Sequence, residues 1–135
     1  MFNVSYQIHT NIELELMLEG KKPLAMFGED ISCLPNEQII PEEKFAPYVE
    51  TGLFVRVEEI VEGIFSEVLN RPTKIKYVLF AVKDQQWRAT MMLQLHKEFQ
   101  KTKQWNETCE GLEGFLLGYS EIEQDEWRQR QVNKN

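Results

Sequence analysis

A chain of 135 residues and 16.0 kDa, 42% hydrophobic and 27% charged, has the size and balance of one globular domain over 1–135. That composition excludes a collagen-like fibre or a disulfide scaffold, and no run approaches the ~18 consecutive apolar residues of a membrane helix. The net charge of −7 argues against a phosphate backbone as the main partner, so neither a nucleic acid nor a membrane is expected.

Phe2, Val4, Tyr6 and Ile8 alternate with polar residues, the pattern of a half-buried strand. Residues 12–19 fit a strand by alternation. The Thr10/Glu13 capping box, the Glu, Leu and Met content and Gly20 favour a helix. Pro23 to Phe27 reads as a short strand whose leading proline puts it at a sheet edge. Residues 28–50, with Pro35, Pro41, Pro47 and six acids, read as a long Pro/Glu-rich loop. Pro41 and the two glutamates after it can open one short helix there.

Leu53 to Val61 reads as a strand. Ile64 to Leu69 fits either its hairpin partner or a helical turn, and Asn70-Arg71-Pro72-Thr73 is a turn signal. Ile75 to Val82 is the clearest strand. Ile75, Tyr77, Leu79 and Ala81 occupy one face and Val78, Phe80 and Val82 the other, so it belongs in the middle of a sheet covered on both sides.

Three helices are expected after it. Asp84 caps the first, with Trp87, Met91, Leu95 and Phe99 inward at i+4 spacing and Met92 beside them, and it runs to about Thr102. Asn106 caps the second, which ends at Gly118. The Ser120/Glu123 box opens the third, with Ile122 and Trp127 inward, before a frayed tail over 128–135. The fold class is therefore α+β: a single mostly antiparallel sheet with C-terminal helices packed on one face.

Charge is unevenly placed. Residues 1–69 hold 13 acids and 4 bases, residues 70–104 hold 2 acids and 8 bases, and residues 105–127 hold 7 acids and no base. Internal pairing of the basic band with its acidic neighbours is the plain use of that pattern; a small bound anion or a short nucleic-acid contact is the alternative. Cys33 and Cys109 are too few for a scaffold and lack zinc spacing. Met1–Ile8 shows no signal-peptide pattern, so the expectation is a cytoplasmic protein with both thiols reduced.

No phosphate loop, nucleophile elbow or metal-binding spacing is present, and no cofactor or metal is expected. His9 at a strand end reads as a solvated turn residue, and His96 as a boundary residue of its helix. Glu107, Glu110 and Glu113 recur at i+3, which suits a solvated helix face better than a cation site. Gly111 and Gly114 on the same helix suggest close approach of another backbone.

Glu59 shares the strand period of Val55, Val57 and Val61. It therefore faces the core and needs a partner, unless a bulge at Glu58–Glu59 or the strand end resets the register; the reset is favoured. Arg88 sits in a first helical turn, where the dipole disfavours a cation, so an ion pair, stacking on Trp87 or a bound anion must compensate, and the ion pair is favoured. Trp87, Arg88, Trp105 and Tyr119 are candidates to line a small pocket at the sheet–helix boundary.

The residues point first to a non-enzymatic binding or regulatory protein that recognises a basic protein partner through an acidic surface. The rival is a small-molecule or catalytic pocket near Trp87, Arg88 and His96; a structural or assembly role is the third reading. A homodimer is expected, because one short helix is too little to cover the second face of the central strand. The competing view has residues 28–50 fold back over that face, with Phe45, Tyr48 and Val49 inward.

Overall fold

The computed structural model describes residues 12–32, 40–119 and 129. The 2–8 strand with His9, Cys33, the Thr10 cap, the Ser120/Glu123 helix with Trp127, and nearly all of the 128–135 tail lie outside the described residues. The elements in order are α1 (Glu13–Leu18), β1 (Leu24–Asp30), α2 (Glu42–Glu50), β2 (Phe54–Ser66), β3 (Arg71–Val82), α3 (Gln86–Thr102) and α4 (Glu107–Leu117). The sheet order is β1-β3-β2, antiparallel throughout.

β3 is central because its apolar residues serve two cores at once. Val78 and Phe80 are buried with Met17, Ile40, Phe45 and Phe54 on the side of α1 and α2. Leu79 and Ala81 are buried with Ala89, Met92, Leu93 and Leu116 on the side of α3 and α4. The C-terminal helices thus occupy one face, and α1 with α2 the other. Pro72 is tolerated in this strand because β1 pairs with β3 only as far as Ile75. At position 72 β3 has β2 as its one sheet neighbour among the described residues, so a missing N–H costs no ladder bond on the other side.

Residues 28–50 are not one loop. Gly28 to Asp30 extend β1, and 42–50 form α2, with Pro47 inside the helix. Phe45 is 1% exposed and stacks on Phe80, with ring centroids 4.1 Å apart and planes at 13°. Tyr48 and Val49 pack beside it. The apolar side chains of this segment are what fold it down, against its proline and glutamate content. The uncovered face that called for a dimer is therefore covered from within the chain.

α2 is fastened to the sheet by Arg56 on β2. Its Nε donates to Glu42 Oε1 at 2.9 Å and its Nη2 to Glu42 Oε2 at 2.6 Å, and Glu58 accepts a further bond from Nη2 at 2.7 Å. The hydrogen bond from Arg56 holds the Glu42 carboxyl below its ordinary value of 4.5, although burial pulls the other way. A carboxylate depressed in the folded state stabilises fully above its ordinary pKa, and that contribution disappears as pH falls through the lowered value. The gap in urea midpoint between wild type and Glu42→Gln is therefore expected to be widest near neutrality and to narrow progressively as pH falls below 4.5. A gap that persists in acid would show that Glu42 acts by packing alone.

One helix boundary moves from its expected position, and one helix face is rotated. Asp84 belongs to a 3-10 turn over Lys83–Gln85, and α3 starts after Gln85 with no side-chain cap. The buried stripe of α3 is Ala89, Met92 and Leu93, while Trp87 and Met91 are 46% and 45% exposed. The inward face is thus rotated from the expected Trp87–Met91 line, because small Ala89 lets the helix lie close to the sheet. Asn106 caps α4 as expected, its side chain accepting from the Cys109 N–H at 3.0 Å. The 64–69 ambiguity resolves as strand to Ser66, with the turn at 67–70 and Asn70 at φ 53°.

Candidate functional site

α3 and α4 are consecutive and pack on each other and on the sheet. The candidate residues fall into two groups at different ends of this pair. Arg88, at the start of α3, lies over Trp87 and Phe115, 4.7 Å and 4.9 Å from their ring centroids. Its Nη1 donates to the carbonyls of Phe115 at 2.7 Å and Leu116 at 3.3 Å, and its Nε to Gln85 Oε1 at 2.7 Å. The favoured ion pair is replaced: among the described residues Arg88 meets no carboxylate, and the carbonyls at the negative end of α4 take that place. Lys22, 3% exposed, donates to the Leu117 carbonyl at 2.8 Å and lies 5.2 Å from the Tyr119 ring centroid. α4 has no basic residue in its own last turn, so two cations from elsewhere cap it. Trp87, Arg88 and Tyr119 thus do not join Trp105 in one pocket; they close the end of α4.

The second group forms a cleft. His96 extends the inward stripe of α3 by one turn, beyond Leu93, to the rim of the sheet. Its Nε2 is 2.9 Å from Glu113 Oε2 on α4. In the neutral ring this carboxylate selects the Nε2–H tautomer and leaves Nδ1 as an acceptor. Trp105, in the connection before α4, places its ring 5.4 Å from both His96 and Phe99. Its indole N–H donates to Glu110 Oε1 at 2.9 Å. Two members of the i+3 glutamate series are therefore used on His96 and Trp105. Among the described residues no cluster of metal-ligating side chains is present.

Tyr77 on β3 forms the floor, its ring 5.7 Å from His96. Burial, and after it the nearby Glu113 carboxylate, pushes its phenol pKa up. Opposite Tyr77 on β1 stands Gly28. A Cβ there would sit 3.3 Å from Tyr77 Cε1, so the missing side chain lets the ring lie flat across the edge strand. With Glu29, Asp30, Ile75, Phe99 and Gln100 these residues enclose an open cleft of about 600 Å³. Asp30 accepts from Ser32 N at 2.9 Å and from the Ser32 hydroxyl, and these bonds hold its pKa low, with Arg71 adding to the effect.

Glu59 stays in register with Val57 and Val61, because the irregularity in β2 comes later, between Glu62 and Ile64. It therefore faces α3, beside Tyr77, and Lys97 supplies its counter-charge. The favoured reset at Glu58–Glu59 does not occur. Glu59 stands next to the cleft and does not line it.

Sequence reasoning found His96 and Trp105 but missed Tyr77, Phe99 and Gly28. Tyr77 and Phe99 read as ordinary core residues, and only the sheet register reveals Gly28 opposite Tyr77. Compared with family models, curated proteins and solved structures, the chain matches none of them. Among the described residues no helix is long and apolar enough to cross a membrane.

Proposed function

We propose that this chain is a binding module whose recognition site is the cleft between β1, β3 and the α3–α4 pair, and that it takes a small organic ligand there. The observation that supports this reading is the convergence of three aromatic rings with a carboxylate-oriented histidine around one concave space. Among the described lining residues there is no serine, threonine or cysteine to act as a nucleophile beside His96, which favours binding over acyl transfer. A cytoplasmic location is part of the proposal. Self-association is not required by it, since the cleft and both helical layers come from one chain.

The test is a fragment screen by ¹⁵N–¹H NMR, following the indole N–H signals. The expected result is that cleft-binding fragments move the Trp105 signal and leave Trp87 in place. A screen in which no fragment moves Trp105 would remove the proposal.

Recognition of a basic macromolecule through an acidic surface is a second reading, with its own support. Arg71, Lys74, Lys76 and Lys97 pair with Asp30, Glu62, Glu58 and Glu59. That internal pairing leaves Glu15, Glu43 and Glu50 as exposed acids on α1 and α2. Its mark would be affinity for a basic protein that falls steeply with salt and survives substitutions in the cleft.

A further inference from the structure

We infer that the cleft selects an organic cation, a small molecule bearing an ammonium group. The inference rests on the reading of the cleft as a ligand site and names the ligand's chemistry. Tyr77, Phe99 and Trp105 line the space, and aromatic rings attract cations. The indole N–H of Trp105 is already given to Glu110, so this ring brings no free donor to the space.

The charged groups agree. Glu113 uses Oε2 on His96, and among the described residues its Oε1 has no hydrogen-bond partner. Glu29 and Asp30 add two more carboxylates at the β1 side of the same space, Asp30 already paired with Arg71. No lysine or arginine stands among the described lining residues, and the nearby Lys97 is occupied by Glu59. An anionic ligand would thus meet three carboxylates, while the nearby cations Arg71 and Lys97 are already paired with Asp30 and Glu59. A cation would gain the free Glu113 oxygen and the rings together.

The test uses three probes of one shape: benzylammonium, benzyl alcohol and benzoate, each titrated against the Trp105 indole signal, which is assigned with Trp105→Phe. Benzylammonium is expected to saturate the signal and to bind about five- to tenfold more tightly than benzyl alcohol, with benzoate weakest. Glu113→Gln keeps a hydrogen-bonding partner for His96 and removes the charge. It should shrink the preference for benzylammonium and leave benzyl alcohol unchanged.

Equal binding of benzylammonium and benzyl alcohol, or a preference unaltered in Glu113→Gln, overturns the cation assignment while the cleft stands as a ligand site. Failure of all three probes to move Trp105 overturns the cleft reading as well. A pentalysine peptide that binds the cleft more tightly than benzylammonium would overturn the small-molecule source and assign the ammonium to a protein partner.

Discussion

Phe45→Ala is expected to lower the unfolding free energy by about 3–5 kcal/mol, the range for truncating a fully buried aromatic side chain. Phe45 is the residue through which α2 reaches the sheet. It stacks on Phe80 at 4.1 Å, meets Phe27 edge-on at 5.7 Å and touches Phe54 at 6.0 Å. Alanine would leave a void walled by three rings, one from each strand, which cannot close without moving the sheet. The urea midpoint, read by far-UV circular dichroism, measures the loss. A second outcome follows from the same geometry: once α2 loosens, Val78 and Phe80 become accessible, and the variant should bind a hydrophobic dye that the parent ignores. A loss under about 1 kcal/mol would mean that α2 is a passenger on this face and that α1 alone covers it.

Gly118→Ala is expected to cost about 3 kcal/mol, for two separate reasons. Gly118 ends α4 at φ 91°, a left-handed conformation that an L side chain resists. A Cβ would also collide with Pro23 Cδ and stand 3.6 Å from the Lys22 Cα, both backbone-anchored and unable to swing away. Gly20→Ala separates the two causes. Its φ of 78° is similar, but nothing lies within 4 Å of an added Cβ, so it should cost only the conformational part, about 1–2 kcal/mol. Equal losses at both positions in thermal or urea unfolding would show that the Pro23 contact is relieved by movement.

Local signals were legible where one residue settles one feature. Asn106 and Gly118 bounded α4, Gly20 ended α1, and the double apolar face of Ile75–Val82 made β3 central. Signals failed where tertiary packing outweighed composition. The prolines and glutamates of 28–50 suggested a loop, yet burial of Phe45 and Ile40 holds the segment down. Trp87 looked like a core residue by size and spacing, but Ala89 sets the side of α3 that lies on the sheet. The candidate site was half legible for a related reason. His96 and Trp105 stand out by chemical type. The glutamate that orients His96 looked like one of three on a solvated face, and the glycine opposite Tyr77 carries no signal until the strands are in register.

The capping of α4 has a consequence for the order in which the molecule assembles. A helix of 11 residues is marginal on its own, and α4 lacks the terminal cations that would favour it. The Lys22 bond to Leu117 spans 95 positions of the chain. During synthesis the last helix therefore waits for a group made long before it, and closing so long a loop is slow and entropically costly. Docking of the Lys22 segment onto α4 is then a late event, and hydrogen exchange at the end of α4 should report the integrity of that segment. A ligand held by Trp105 and Glu113 would stabilise the opposite end of the same helix, so occupancy of the cleft and closure of that long loop would reinforce one another.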